Sequence, residues 1–154
     1  MLRTKGRMRL CTALLILNLA FIWGNSLLPG DLSAALSQWV KDLIAAIFGS
    51  KGDPHAGHGL LRKLAHFTEF CCLGMCLTWL NVMLGKSARL SFLLGFLVAC
   101  TDEIIQCFIP DRGPAVKDVL IDTMGVTLGI GLLLAGHAIY HNKKLKQNLE
   151  ENKL

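Results

Sequence analysis

Four apolar windows, each about as long as a bilayer is thick, constrain this chain more than any other feature. A hydrocarbon core of roughly 30 Å takes about 20 helical residues to cross. Because no water reaches the backbone in lipid, each window must satisfy its own hydrogen bonds and is expected to be an α-helix. The windows are residues 10–28, 64–84, 90–109 and 119–140. The sequence therefore predicts an all-α fold, a four-helix transmembrane bundle.

Composition favours a single integral membrane domain. Hydrophobic residues make up 53% of the 154 residues, and the mean hydropathy is +0.48; both values are too high for a soluble domain of this length. The chain is also too short for two domains. We therefore expect one domain over residues 1–154, with basic tails at 1–9 and 141–154.

The distribution of basic residues predicts the orientation. Ten Lys and Arg residues lie in the two tails and in the turn between the second and third windows, and six lie in the other loops. The positive-inside rule then places both termini in the cytoplasm. This bias also explains the net charge of +5, since anionic lipid attracts juxtamembrane Lys and Arg. No pattern indicates nucleic-acid binding.

The first window has a second interpretation. Its basic start and apolar run are also typical of a secretory signal, and Ser33, Ala34 and Ala35 supply small residues for cleavage. Because the apolar run is long, we expect it to be retained as a membrane span.

The segment between the first two windows predicts an amphipathic helix. Apolar residues recur there at spacings of three and four, with polar residues on the complementary side. The apolar residues are Leu32, Leu36, Trp39, Val40, Leu43, Ile44 and Ile47. Such a helix lies on the outer leaflet as an interfacial helix, or it packs over the mouth of the bundle as a lid.

Histidines and cysteines give little indication of a metal or a cofactor. His55 and His58 lie in a glycine-containing loop, and His137 and His141 fall at the inner end of the fourth window. All six cysteines fall inside the windows, with no CxxC pair, where thiols behave as small hydrophobes. We therefore expect no disulfide framework, no metal and no cofactor.

Ionisable and amide side chains cluster near one end of three windows, and these ends lie on the same side of the predicted bundle. A charge inside a bilayer costs on the order of 3 kcal/mol, so such residues are expected to have hydrogen-bonding or ionic partners, or a function. At a helical rise of about 1.5 Å per residue, the charged members of the second and third windows lie roughly 3 to 11 Å below the outer interface. The cluster comprises His66, Glu69, Asp102, Glu103, Gln106, Asp118 and Asp122.

Charge and geometry indicate roles for these side chains. Five acids so close together cannot all stay ionised without cations, which makes His66, Glu69 and Glu103 candidates for acid/base catalysis. The Arg112 guanidinium lies in the turn above the third window and is suited to hold a carboxylate or a phosphate. The candidate substrate-binding residues are Lys63, Asp102, Gln106, Arg112, Asp118 and Asp122.

Three runs of sequence resemble the VanZ-like family of bacterial membrane proteins. They are KLAHFTEF at 63–70, DEIIQCFIPDR at 102–112 and DVLIDTMG at 118–125, and their order, spacing and loop placement agree with the family. Two positions depart from it, because Asp111 stands where the family often has Gly and Asp122 where many members have Asn. The family's polar signature falls on Lys63, His66, Glu103, Gln106, Arg112 and Asp118.

The resemblance implies a role at the bacterial cytoplasmic membrane, since the family takes its name from a member associated with resistance to teicoplanin. We expect binding or modification of an anionic envelope component or lipid-linked precursor at the outer leaflet, with a contribution to glycopeptide tolerance. The expected partners are membrane lipid and a lipid-linked cell-wall precursor or glycopeptide. An enzymatic form would use Glu103 or His66 as acid or base and Ser26 or Ser33 as acyl acceptor.

Two other functions remain open from the sequence. A proton- or ion-coupled carrier would titrate the acidic layer during transport, although the inner halves of the windows are almost free of charges. A purely structural bundle would use its cations only to neutralise the acids and hold the helices in register. The Gly125–Gly129 GxxxG motif predicts close helix packing, within the chain or between chains.

Overall fold

The computed structural model describes residues 2–48, 58–113 and 115–151. Within these ranges the chain forms five helices and no strand, which confirms the all-α prediction. His55 lies outside the described residues. The helices are α1 (Leu2–Ser26), α2 (Gly30–Phe48), α3 (His58–Met83), α4 (Ala88–Gln106) and α5 (Val116–Glu151).

No helix matches its predicted window at both ends, and α1 and α3 begin earlier than predicted, at Leu2 and His58. α4 ends at Gln106 rather than at residue 109, because Pro110 disfavours helical conformation in the residue before it. α5 continues to Glu151, well past residue 140 and through most of the predicted basic tail. Hydropathy alone underestimates this helix, since a polar sequence can extend a helix beyond the part that is apolar.

Two helices in the described part of the chain are long and apolar enough to cross a bilayer, Lys5–Ser26 and Val116–Glu151. α4 also exposes large apolar side chains on its outer surface, although its other face is packed. These side chains are Phe92, Leu93, Leu94, Phe96 and Leu97. Contiguous apolar surface of this kind is rare on soluble monomers and is suited to contact with lipid.

The helix predicted between the first two windows is present as α2. It packs lightly, mainly against α3, and Leu32, Trp39 and Ile47 on its apolar face remain exposed. The amphipathic pattern therefore produces a helix whose apolar side is largely not covered by the described protein.

The start of α2 is hydrogen-bonded to, and packs closely against, the turn between α4 and α5. The Gly30 N–H donates to the carbonyl of Pro110 at 3.2 Å, and a Cβ at Gly30 would collide with the carbonyl oxygen of Asp111. Asp111 has a φ of 58°, in the left-handed region where Gly is unstrained and Asp is one of the tolerated residues.

The closest contact in the bundle is between α3 and α5. A Cβ at Gly125 would collide with the carbonyl oxygen of Phe67, and one at Gly129 with that of Cys71. The GxxxG motif therefore packs within the chain, which resolves the alternative left open by the sequence. The buried apolar core lies beside this contact and consists of Ile22, Phe70, Leu73, Leu77, Ala99 and Val126.

We predict that Gly129→Ala destabilises the protein by roughly 1 to 3 kcal/mol, because the added methyl overpacks a contact with rigid backbone. The matched control is Gly131→Ala, since Gly131 is exposed and has no atom within 4 Å of its Cβ position. Thermal unfolding of the purified protein in detergent should show a lower midpoint for Gly129→Ala than for Gly131→Ala. Equal midpoints would contradict close α3–α5 packing.

Candidate functional site

Polar side chains of α3, α4 and α5 enclose a small cavity below the α4–α5 turn. Its volume is about 10 Å³, near the lower limit for holding one water molecule. Six of the nine predicted site residues line it. The lining residues are Arg62, Lys63, His66, Glu103, Gln106, Asp118, Ile121 and Asp122.

Asp102 lies beside this cavity and joins α4 to α1. Its side chain is completely buried. The Ser26 hydroxyl donates to Oδ1 at 2.6 Å, and Gln106 Nε2 donates to Oδ2 at 2.8 Å. Gln106 Nε2 is also 3.4 Å from Ser26 Oγ, so the three side chains form one buried network that holds the carboxylate in place.

His66 and Asp122 face the cavity with polar atoms that lack partners. His66 Nδ1 is 3.9 Å from Asp102 Oδ2, which is too far for a hydrogen bond. Asp122 is 1% exposed, and neither of its carboxylate oxygens has a hydrogen-bond partner among the described residues. Buried polar atoms are usually paired, and Asp122 is the acid of the cluster in which both carboxylate oxygens lack a partner among the described residues.

Glu103 and Asp118 lie on the side of the cavity nearer the turn. Glu103 Oε2 accepts a hydrogen bond from the Ala115 N–H at 2.9 Å, which ties α4 to the residue before α5. Lys63 Nζ is 4.0 Å from Asp118 Oδ1, and the lysine side chain is 44% exposed. An exposed pair at this distance contributes little stability, so Lys63 is available to other partners.

Arg112 supports the end of α1 and does not line the cavity. Its Nε donates to the carbonyl of Leu28 at 3.1 Å, and Nη2 donates to the carbonyl of Asn25 at 2.8 Å. These carbonyls lie at the helix C-terminus, where cations are favoured. Burial lowers the pKa of the guanidinium, and nearby Arg62 adds to this effect. The predicted anion clamp thus has two of its donors engaged by backbone.

Glu69 is turned toward α1, away from the cavity. Its Oε1 accepts a hydrogen bond from Asn25 Nδ2 at 2.8 Å, and Asn18 Nδ2 donates to its backbone carbonyl at 3.3 Å. Sequence reasoning missed both asparagines as site residues. They are seven residues apart and share one face of α1, so helical periodicity applied to the first window would have shown them.

A groove of about 640 Å³ runs between α1, α2 and α3. Its walls are mainly apolar, and Glu69 with the two asparagines of α1 forms its polar part. Of the two proposed acyl acceptors, Ser26 is held by Asp102, and Ser33 lines neither the groove nor the cavity. The groove residues are Asn18, Phe21, Asn25, Leu36, Ser37, Val40, Leu61, Leu64, Ala65, Thr68, Glu69 and Cys72.

The fold and site together define an all-α protein whose helix ends bury a polar cluster and which, in its described part, has two helices long and apolar enough to cross a membrane. A family model described as VanZ/LLP1 matches residues 10–139. The chain therefore belongs to the VanZ/LLP1 family, which confirms the resemblance found in the sequence. No curated protein and no solved structure is similar enough to this chain to count as a match.

We predict that Arg112→Lys lowers the stability of the protein by about 1 to 3 kcal/mol, because lysine cannot reproduce two hydrogen bonds of a fixed guanidinium fork. The control is Arg89→Lys at an exposed position. The stability of both variants is measured as the fraction of protein that size-exclusion chromatography recovers after heating in detergent. Equal recovery of the two variants after heating would contradict the role of Arg112 in supporting the end of α1.

Proposed function

We propose that this protein is a four-span protein of the bacterial cytoplasmic membrane, with both termini in the cytoplasm, that binds or modifies an anionic lipid-linked envelope component at the outer leaflet. α1 and α5 are the apolar spans, and the exposed apolar side chains of α4 favour a third. The basic residues near the termini support the orientation. α2 then lies along the outer leaflet, its apolar face in lipid.

The observation that carries this proposal is the set of buried polar atoms left without partners. His66 Nδ1, Glu103 Oε1 and both oxygens of Asp122 are buried and unbonded within the described residues. A bundle that used these side chains only for scaffolding would be expected to pair them with one another, because an unsatisfied buried group costs roughly 1 to 3 kcal/mol. Three of these four atoms are carboxylate oxygens, which accept hydrogen bonds, so they favour a ligand whose headgroup carries donors such as hydroxyl groups over a scaffold.

The charge at the cavity mouth favours an anionic headgroup. Arg62 and Lys63 both line the cavity, and neither is buried. Basic side chains at the membrane surface attract anionic lipid. Arg112, whose donors support α1, takes a positioning role in this proposal instead of the clamp expected from the sequence.

The groove beside the cavity suits the apolar part of such a ligand. Its volume of about 640 Å³ falls within the range of ligand pockets, and a mainly apolar wall with a few polar groups is typical of them. Leu61, Leu64 and Ala65 of α3 line the groove, while Arg62, Lys63 and His66 on the same helix line the cavity. A single lipid bound across this part of α3 would place its apolar chain in the groove and its headgroup at the mouth of the cavity.

The binding proposal predicts that an anionic lipid stabilises the purified protein more than a zwitterionic one. Phosphatidylglycerol should raise the thermal midpoint in detergent more than phosphatidylcholine, because only a ligand of the folded state shifts the equilibrium. Lys63→Gln should remove the difference, and Lys86→Gln, an exposed charge in the turn between α3 and α4, should preserve it. Equal stabilisation of the unchanged protein by the two lipids would contradict the proposal.

The proposed link to glycopeptide tolerance is tested in a host that lacks its own copy. Lys63→Gln and Glu103→Gln should reduce the minimal inhibitory concentration of teicoplanin several-fold while the protein remains abundant in the membrane. If both variants accumulate and tolerance is unchanged, the cluster has no part in it. A purely structural bundle instead predicts loss of the protein itself, and a carrier predicts pH-dependent uptake into proteoliposomes.

A further inference from the structure

Three side chains from three helices converge beside the cavity. His66 of α3, Asp102 of α4 and Asp122 of α5 each offer one ligand atom, and these atoms lie within 4.8 Å of one another. No metal was expected from the sequence, in which the cysteines and the spaced histidine pairs gave little indication of one. Their convergence is visible only after the helices pack.

Asp122 supplies the independent reason to expect a ligand at this point. It is 1% exposed, and both of its oxygens lack a hydrogen-bond partner in the described part of the chain. An ionised carboxylate buried without a partner costs several kcal/mol, which a positive charge at its oxygens would offset. Asp122 lines the same cavity as His66, whose Nδ1 also has no partner.

None of the basic side chains nearby bonds the Asp122 carboxylate. Lys63 Nζ lies 4.0 Å from Asp118 Oδ1, and Arg112 donates to two carbonyls of α1. Arg62 lines the cavity, yet the Asp122 oxygens remain without a partner. A positive charge at this carboxylate therefore comes from a cation outside the chain or from a proton on the carboxylate itself, and a cation would also use the free His66 nitrogen.

We propose that His66, Asp102 and Asp122 bind a divalent transition-metal ion of the Zn²⁺ or Mn²⁺ type. One imidazole nitrogen with two carboxylate oxygens is a ligand set for such ions, whereas Mg²⁺ and Ca²⁺ prefer oxygen alone. Two carboxylates with a neutral imidazole also balance the charge of a divalent ion, which suits a buried site. The inference goes beyond the lipid-binding proposal; it uses the same unpartnered atoms of His66 and Asp122, but its test requires no lipid.

The surroundings match those of a metal site in two respects. Ser26 and Gln106 hold the Asp102 carboxylate by hydrogen bonds, and such outer partners are typical of metal ligands. Tetrahedral Zn²⁺ with bonds of about 2.0 to 2.1 Å places its ligand atoms about 3.4 Å apart, so small side-chain shifts would close the site. Three protein ligands leave a fourth position toward the cavity, which is large enough for about one water.

The test uses the full-length protein in detergent, stripped with a chelator and then titrated with Zn²⁺ or with Mn²⁺ alone. We expect one tightly bound ion per chain by elemental analysis, together with a raised thermal midpoint. Asp122→Asn should weaken binding at least tenfold. Asp118→Asn, which alters an acid of the same cavity outside the three ligands, should retain it.

Folding and binding are separated by measuring the metal-free proteins first. Asp122→Asn removes an unpaired buried charge, so its metal-free form should be at least as stable as the unchanged chain. Metal bound equally by Asp122→Asn and the unchanged protein, or by neither, would overturn the proposal. Lys63→Gln should lose lipid discrimination and keep the metal, so failure of one proposal is distinguishable from failure of the other.

Discussion

The close contact between α3 and α5 determines where the polar side chains of the site come together. Gly125 and Gly129 bring the α5 backbone against the carbonyls of α3, and this fixes the axial register of the two helices. Asp122 lies one turn from Gly125, so the same contact sets its side chain beside the cavity that His66 lines. A larger residue at either glycine would move the site as well as the packing.

The second constraint is the high cost of a polar group in an apolar bundle. On one side of the site, other groups of the protein supply hydrogen bonds that offset this cost: Ser26 and Gln106 bond Asp102, and Arg112 bonds the end of α1. On the other side no such hydrogen bonds are made, since Asp122 is buried and unbonded within the described residues. The site thus combines a half in which neighbouring groups hold the Asp102 carboxylate with a half whose Asp122 oxygens have no partner among the described residues.

Much of this arrangement could be predicted from the sequence. Apolar length predicted the helices, since lipid allows few other structures, and helical periodicity selected the polar residues that were later found around one cavity. The orientation of Glu69 toward Asn25 and the use of Arg112 by α1 could not be predicted. Both depend on which neighbour each helix face meets, and spacing along one helix carries no information about that neighbour.

The same reasoning explains why the proposed metal site could not be predicted from the sequence. Familiar metal motifs place at least two ligands within a few residues, whereas His66, Asp102 and Asp122 belong to three different helices. Only their packing makes them neighbours. The four-span topology stays a prediction, since only α1 and α5 in the described part of the chain are long and apolar enough by themselves to cross a bilayer.

The most direct test of the convergence of α3 and α5 is a chemical cross-link. In a chain whose six native cysteines are replaced, His66→Cys combined with Asp122→Cys should form an intramolecular bridge with mercuric ion, since the native ligand atoms lie within 4.8 Å. Pairing His66→Cys with Met124→Cys, at a side chain that is 65% exposed, should give none. If both thiols of the first pair remain open to alkylation, the helices do not meet as described and the site does not exist.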